Sequence, residues 1–294
     1  MIPRRLDKFL ADATPLSRRQ IQRAWEAGRI RVEIPPKVAP NPGDHRLWSL
    51  VFVDDQIFVD DEPVTIEAAR EYFALHKPAG ILSTTSNPQG RPCLAPFLEP
   101  LPETVFPVGR LDEPTTGFLL ITDDGDLCFC LLRPRFHVEK EYHLYLDHPL
   151  TDDDHRLIAL REGIDIGDNK PPVAALDTSV LWSTPDSSLL SVVVDEGRHR
   201  MVRRMARRAG LRLTHLHRPR IGPIELGAIE PGEVRRLTDG EVHDLWTACG
   251  GRAAASQRQI AALTRQARRW REEGQPHLRL ETWLDELGRD GFQI

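Results

Sequence analysis

Apolar residues in the first 32 positions follow helical spacing and then extended spacing. The helical part predicts two short helices with one buried face each, formed by Leu6, Phe9 and Leu10 and then by Ile21, Ala24 and Trp25. Ser17 is placed to cap the second helix and Gly28 to end it. Residues 30–32 then begin a strand, and the exposed helix faces carry basic side chains that include Arg18, Arg19 and Arg23.

Prolines and a glycine interrupt any regular pattern between residues 35 and 43. Alternating apolar positions predict strands near residues 51–53 and 57–59. We expect a linker near residues 65–71, which bounds a small first domain at residues 1–66.

The pattern from residue 72 to about 238 is rich in strands, with helices inserted between them. Strand patterns occur in FALHKP, GFLLITDDGD and EKEYHLYLD, and again at residues 188–194 and 211–217. The Asp124–Gly125 pair predicts a turn into a helix, and a second helix is predicted at 200–209, ended by Gly210. Strands and helices do not alternate regularly, so an α+β fold is favoured over a doubly wound sheet. This second domain is predicted to span residues 72–240.

The final segment, residues 241–294, is helical in composition and is predicted to form a C-terminal helical extension. Ile260, Leu263, Ala267 and Trp270 share one face. Arginines occupy the other faces, where a solvated basic surface and an RNA contact both remain open.

The formal charge of the 294-residue chain is −5, which by itself argues weakly against nucleic acid as a partner. The total hides a segregation, however. Residues 4–31 sum to +5 and residues 198–220, with nine arginines and no acid, sum to +9, which leaves −19 for the rest. Two cationic surfaces on an acidic body favour phosphate contacts, because such contacts depend on charge within a Debye length of about 8–10 Å.

Composition excludes several other classes. The longest apolar runs fall far short of the roughly 20 residues of a membrane helix, and no secretory signal is readable at the start, so we expect a cytoplasmic protein without membrane contact. Four cysteines without a CxxC pair indicate reduced thiols. Nucleotide-binding glycine loops, the GxSxG elbow and the HExxH helix are absent from the sequence.

Several titratable clusters have simpler structural interpretations. Cys128 and Cys130 are two apart on a predicted helix and point in different directions, so burial is favoured over metal binding. His215 and His217 share a strand face, but without a third nearby ligand we favour phosphate or core contacts. The TDDGD segment, residues 122–126, is interpreted as a turn because it lacks a twelve-residue calcium loop.

Asp112 is the remaining candidate for chemistry. It lies in VGRLDEPTTGFLLITDDGD, where an apolar strand breaks into a turn containing Pro and Thr. On its own, this position suits an Asp that caps a turn at least as well as a nucleophile.

The motif VGRLDEPTTGFLLITDDGDL strongly resembles the catalytic motif of bacterial ribosomal RNA pseudouridine synthases. The resemblance is to the small-subunit branch, which also contains large-subunit enzymes. It continues in family order through HKPAGILST, LLRPRFHVEKEYHLYL, DEGRHRMVRRMARRAG, LHRPRIGPIELG and PGEVRRLT. The N-terminal residues 4–32 resemble the small α/β RNA-binding module of the S-four type.

The resemblance implies a pseudouridine synthase fold with a mixed, mainly antiparallel sheet. It also implies an isomerase that converts a uridine of ribosomal RNA to pseudouridine and needs no cofactor and no metal. Asp112 is implied as the nucleophile that attacks C1′ of the ribose or C6 of the uracil, two routes that the sequence leaves open. Tyr142 is implied to stack on the flipped base and to be a candidate base for the C5 proton, and Arg203 to pair with Asp112.

Further arginines are candidates for RNA contact on the basis of their position and charge. Arg110 is expected to help place the phosphate of the flipped nucleotide. The other candidates are Arg18, Arg19, Arg23, Arg198, Arg200, Arg204, Arg207 and Arg208. The expected partner is ribosomal RNA, as a hairpin or an assembly intermediate, bound by a monomer.

The chain departs from the family pattern in the N-terminal module, where VEIPPKV and the segment to Val64 replace the usual Val-Asn-Gly end of the strand, and at three positions of the second domain. His199 and Met201 replace an Asn and a Gln, and Phe118 replaces a Leu. The lost amides motivate an alternative, a ribosome-associated RNA-binding or assembly factor with weak or no catalysis. A third hypothesis, a metal-dependent nuclease, uses the Asp-rich stretches 122–126 and 151–154.

Overall fold

The computed structural model describes residues 3–34, 46–52, 55–64, 70–275 and 277–289. The chain divides into two compact units, one formed by residues 1–70 with 252–294 and the other by residues 71–251. The predicted linker at 65–71 and the proline-rich segment fall largely outside the described residues. Within the described residues, no helix combines the length and apolarity needed to cross a membrane.

The first unit begins with two short helices packed on small sheets. Its N-terminal elements are β1 (Arg4–Arg5), α1 (Leu6–Ala13), α2 (Arg18–Glu26), β2 (Ile30–Glu33), β3 (Leu50–Val51), β4 (Gln56–Val59) and β5 (Glu62–Pro63). Strand β1 pairs with β3, and β2, β4 and β5 form a three-stranded antiparallel sheet.

The predicted helix signals of this unit are confirmed. The Ser17 side chain accepts from the Gln20 backbone N–H, and the Gln20 side chain accepts from the Ser17 backbone, which completes a capping box. Gly28 follows the helix at a φ of +69°, a conformation that favours glycine. The buried faces meet in one core, formed by Leu6, Phe9, Leu10, Ile21 and Ala24 together with residues of the adjacent strands.

Two C-terminal helices, α8 (Gly251–Glu272) and α9 (Leu278–Arg289), belong to the same unit. The predicted apolar face is confirmed, because Ile260, Leu263 and Ala267 are buried and Trp270 packs beside them. They contact Leu50 and other apolar residues of the N-terminal segment.

The second unit is built on one large, mainly antiparallel sheet. Its strands are β6 (Tyr72–Lys77), β7 (Phe106–Pro107), β8 (Thr115–Thr122), β9 (Lys140–Leu146), β10 (Asp177–Ser183), β11 (Ser188–Val194), β12 (Leu213–Ile221), β13 (Ile224–Glu225) and β14 (Val234–Arg236). The order is β10-β11-β9-β12-β8-β6-β14, with β7 on β8 and β13 on β12. Only β8 and β12 pair in parallel among these strands, so the predicted α+β class is confirmed.

Helices of the same unit connect or follow these strands. They are α3 (Ala95–Leu98), α4 (Gly125–Leu132), α5 (His155–Glu162), α6 (Met201–Arg208) and α7 (Asp239–Ala248), with a short 3₁₀ turn at Pro134–Phe136. The buried face of α6 packs on apolar residues of β9 and β11, among them Leu144, Leu190 and Val192. This packing fixes the helix that carries the arginine-rich segment.

A glycine permits the close approach of the two parallel strands. Gly117 of β8 lies opposite Arg218 of β12 and has a φ of +110°. A Cβ on Gly117 would lie 2.3 Å from the carbonyl oxygen of Arg218, so any other residue would push the strands apart. The contact sets the start of β8, and therefore the position of the loop that precedes it.

Candidate active site

Asp112 lies in the loop between β7 and β8, at the end of the loop that enters β8. Its carbonyl accepts from the Thr115 backbone N–H at 2.9 Å, which closes a turn around it. Arg203 of α6 reaches this turn, with its Nε 3.6 Å from the Asp112 Oδ2. The structure thus brings together an Asp and an Arg that are 91 positions apart in the chain.

Arg203 is held in place by a second contact. Its Nε and Nη2 donate to the Thr115 hydroxyl at 3.3 and 3.0 Å. Burial lowers the pKa of Arg203, while the nearby Asp112 carboxylate opposes that shift. The guanidinium is therefore positioned along the carboxylate and has little freedom to leave it.

Two residues that the sequence interpretation did not single out hold the Asp112 loop. The Ser83 hydroxyl donates to the Leu111 carbonyl at 2.8 Å and accepts from the Leu111 N–H at 3.0 Å. Lys77 is fully buried, and its Nζ donates to the carbonyls of Pro78, Glu113 and Thr115 at 2.8, 3.2 and 3.0 Å. The backbone is thereby fixed on both sides of Asp112. The HKP and GILST segments were the available signal, but their contacts across the loop are not visible in a linear sequence.

The environment of Lys77 is costly for a cation. Burial lowers its pKa from 10.5 to about 8, and the carboxylates of Glu113 and Asp112 counteract part of that shift. At neutral pH the ammonium group is still mostly charged, so it adds a positive charge beneath the loop as well as three hydrogen bonds.

Tyr142 lies on β9 and faces the same cavity as Asp112. Its hydroxyl accepts from Nη1 of Arg218 at 3.3 Å, and the guanidinium carbon of Arg218 lies 5.8 Å from the Tyr142 ring centroid. Arg218 also donates from Nε to the Phe118 carbonyl at 2.8 Å. Phe118, one of the family departures, is itself fully buried.

The cavity that joins these groups has a volume of about 590 Å³. Asp112, Tyr142 and Arg203 all line it, and its lining has six Lys or Arg residues but only two carboxylates. A pocket of this size fits a drug-sized ligand, and its charge balance suits a polyanion. The arrangement is a carboxylate beside a cation, in a basic pocket with an aromatic ring on its wall.

The remaining predicted arginines fall into different environments. Arg110 is exposed and lines the cavity, as does Arg200, which has a φ of +51°. Arg198 also lines the cavity, but it pairs with Glu196 and Asp168. Arg204 donates to the Ile166 carbonyl. The exposed arginines of α2 and the last turn of α6 are Arg18, Arg19, Arg23, Arg207 and Arg208.

Two motif departures have different consequences. Met201 is 4% exposed, packs in the core beneath α6 and also forms part of the cavity wall. His199 is exposed on the loop before that helix and lines the cavity. The Asp112–Arg203 pair is present with both substitutions.

The histidines and cysteines have structural contacts. His215 and His217 both contact the Thr116 hydroxyl at 2.9 Å, and burial lowers the pKa of His217 to about 4. Cys130 is buried in α4 as expected, whereas Cys128 on the same helix is only half-buried. No group of three or more potential metal ligands occurs among the described residues. The TDDGD turn is confirmed, since the Asp124 side chain accepts from two backbone N–H groups and caps α4.

Comparison with known proteins places these observations in context. A family model described as RNA pseudouridylate synthase matches residues 71–208. An uncharacterized RNA pseudouridine synthase of Mycobacterium tuberculosis (strain ATCC 25618 / H37Rv) is 35% identical over 253 residues, which are 84% of this chain and 94% of the relative. Ribosomal small subunit pseudouridine synthase A of Escherichia coli (strain K12) is 32% identical over 240 residues, with 81% and 98% covered.

A solved structure gives the same result. A crystal structure of a pseudouridylate synthase matches with a TM-score of 0.57 and 30% sequence identity, covering 82% of this chain and 99% of the other.

Proposed function

The chain belongs to the RNA pseudouridylate synthase family, and from this premise we propose that it isomerises a specific uridine of ribosomal RNA with Asp112 as nucleophile. The observation that carries the proposal is the Asp112–Arg203 pair, at 3.6 Å, in a basic cavity shared with Tyr142. The two units supply basic surfaces for the RNA, at residues 4–31 and 198–220.

The reaction exchanges one bond for another within the nucleotide. The N1–C1′ bond breaks, the uracil turns in the pocket, and C5 bonds to C1′. The C5 proton leaves and N1 gains a proton, so the product is an isomer of the substrate. Asp112 attacks C1′ of the ribose or C6 of the uracil. In the first route C5 displaces the carboxylate from C1′ as the new bond forms. In the second route the carboxylate leaves C6 when loss of the C5 proton restores the C5–C6 double bond.

Arg203 and Tyr142 have separate roles in this proposal. Arg203 balances the charge of the Asp112 carboxylate and orients it through the contact with Thr115. Tyr142 stacks on the uracil after it leaves the RNA stack, and its oxygen, once it has given up the hydroxyl proton, takes the C5 proton. Arg110, exposed at the cavity, contacts the phosphate of the flipped nucleotide.

The substrate is proposed from the relatives and the charge distribution. The Escherichia coli relative is named for the ribosomal small subunit, and this chain covers 98% of its length. We infer that a monomer acts in the cytoplasm on a ribosomal RNA hairpin or an assembly intermediate. The non-catalytic alternative is not favoured, because the Asp112–Arg203 pair is intact with both His199 and Met201 in place.

Tritium release tests the substrate class. The full-length protein is incubated with [5-³H]uridine transcripts of small-subunit rRNA, large-subunit rRNA and, as a control, transfer RNA. We expect tritium release from one of the two ribosomal RNAs. We also expect that the ribosomal RNA of a deletion strain lacks one pseudouridine, whose position identifies the target uridine. Release from transfer RNA alone, or from none of the three, contradicts the proposal.

A further inference from the structure

Arg218 has an unsatisfied charged donor at the wall of the cavity. The residue is buried, with 4% of its surface exposed. Nε donates to the Phe118 carbonyl and Nη1 to the Tyr142 hydroxyl. Nη2 is buried and has no hydrogen-bond partner among the described residues. A buried donor left unpaired is costly, most of all when it belongs to a charged group, so this one calls for an explanation.

A second buried cation lies beside it. Lys140 also lines the cavity, is 9% exposed, and donates from Nζ to the Val138 carbonyl at 2.7 Å. Burial is the main cause that lowers the pKa of Lys140 to about 8, and the charge of Arg218 is the next, while Asp195 opposes the shift from beyond ion-pair distance. Neither cation has a carboxylate within ion-pair distance in the part of the chain that the structure describes. Buried charges are normally paired, so this corner is complementary to a negative charge that arrives with a ligand.

The proposed reaction produces such a charge on the uracil. Attack at C1′ breaks the N1–C1′ bond with both electrons on N1, and that charge is shared with O2 and O4. Attack at C6 adds the Asp112 carboxylate there and moves the C5–C6 π pair to C5 and O4. In both routes the carbonyl oxygens carry negative charge until C5 bonds to C1′ and the C5 proton leaves.

We propose that Nη2 of Arg218 binds a carbonyl oxygen of the flipped uracil, and that Arg218 and Lys140 together stabilise the negative charge on the base during isomerisation. This inference rests on the proposed function. It gives the cavity a cationic subsite for the base, distinct from the Arg203 contact that serves Asp112. Such preorganised donors act most strongly where water is excluded, as at the buried Arg218.

A backbone phosphate is a poorer occupant of this subsite. Arg218 lies beside the Tyr142 ring, on which the base is proposed to stack, and it is almost fully buried. A phosphodiester stays attached to the RNA strand and is highly hydrated, which suits the exposed guanidiniums of Arg110 and Arg200 better. The base is the part of the nucleotide that enters the pocket and sheds its water.

Thio-substituted substrates test the contact atom by atom. The probes are an rRNA fragment with uridine, 2-thiouridine or 4-thiouridine at the target position, assayed in single turnover with full-length protein. Sulfur is a weak acceptor, so the wild type should lose rate with one thio substrate. The Arg218→Lys variant should be slower with uridine by about 10²-fold and should lose little more with the same thio substrate.

The decisive quantity is the rate loss on thio substitution in the wild type divided by the same loss in Arg218→Lys. A ratio of at least about tenfold for one carbonyl, with RNA affinity unchanged, is expected for a direct contact. A ratio near one for both carbonyls overturns the proposal and leaves Arg218 as a support for Tyr142. A weaker RNA affinity with an unchanged thio loss also overturns it, because that result indicates a phosphate contact.

Control variants and a control reaction distinguish loss of the Arg218 contact from misfolding and from failure of the proposed function. Arg235→Lys is the control substitution of an arginine that lies outside the cavity lining, where it bonds the backbone carbonyls of Leu226 and Glu225 and pairs with Glu241, and it should retain the wild-type thio loss. Arg218→Gln keeps a neutral donor. If Lys at this position cannot reach the oxygen, the thio loss of Arg218→Gln should lie between that of Arg218→Lys and that of the wild type. A thio loss of Arg218→Gln equal to that of the wild type contradicts the need for the guanidinium charge. Wild-type conversion of the uridine fragment is measured first, so that its absence refutes the proposed function rather than this inference.

Discussion

Lys77 gives the most quantitative prediction, because a fully buried ammonium group braces the Asp112 loop and its pKa is lowered to about 8. The unfolded chain has the ordinary value of 10.5, so the difference of about 2.5 pKa units corresponds to about 3 kcal/mol. The folded pKa is the lower one, and between about pH 8 and 10.5 the unfolded chain binds more protons. Stability therefore rises with pH in this range through Lys77.

The Lys77→Met variant removes the pH-dependent contribution of Lys77 to the free energy of unfolding. At pH 7 two effects oppose each other, since relief of the buried charge gains about 3 kcal/mol and three carbonyls lose a donor at about 1–3 kcal/mol each. We expect a net destabilisation of a few kcal/mol at pH 7, and we expect the deficit to the wild type to grow by about 3 kcal/mol by pH 10.5.

Urea unfolding of the full-length protein between pH 7 and 10.5 measures this difference. Lys140, whose pKa is also lowered to about 8, is present in both proteins and cancels in the comparison. Lys140→Met is the matched control for the stability measurement alone, because it removes a second buried ammonium group with a pKa near 8 that does not bond the Asp112 loop. Its turnover is not compared, since Lys140 belongs to the proposed subsite for the base. A stability difference between wild type and Lys77→Met that is independent of pH refutes the reasoning. The Lys77→Met variant should also lose kcat with RNA affinity retained.

The other predictions concern the nucleophile's partner, the RNA surface and the strand crossing. Arg203→Met should abolish turnover while RNA binding measured by filter retention largely persists, and a collapse of binding would identify Arg203 as a phosphate contact instead. Arg207→Ala combined with Arg208→Ala should reduce the log–log salt slope of RNA binding by about 1.4–1.8, and an unchanged slope would remove both side chains from the RNA. Gly117→Ala should destabilise the second unit by several kcal/mol in thermal unfolding, since its Cβ would lie 2.3 Å from a backbone oxygen of β12; a wild-type melting temperature would show that the strands can separate at little cost.

Local signals in the sequence predicted the local structure well. Ser17 caps α2 as expected, Asp124 caps the helix after the TDDGD turn, and the face with Ile260 and Leu263 is buried. These features depend on residues within a few positions of one another. Strand β10 was not predicted, because it is mostly exposed and lacks a clear apolar alternation.

The candidate site could be predicted only in part. The resemblance indicated Asp112, Tyr142 and Arg203, and the structure brings all three to one cavity. Lys77 and Arg218 were not recognised as parts of the site. Lys77 meets Thr115 across 38 positions and Arg218 meets Tyr142 across 76, through strand pairings that no local pattern specifies.

The central claim is that Asp112 is the nucleophile of a ribosomal RNA pseudouridine synthase, and one comparison tests it most directly. Wild type and Asp112→Asn, which differ by one side-chain atom, are incubated with the same [5-³H]uridine ribosomal RNA. We predict that the wild type releases tritium and that Asp112→Asn, with RNA affinity intact, releases none. Tritium release by Asp112→Asn at the wild-type rate would contradict the account.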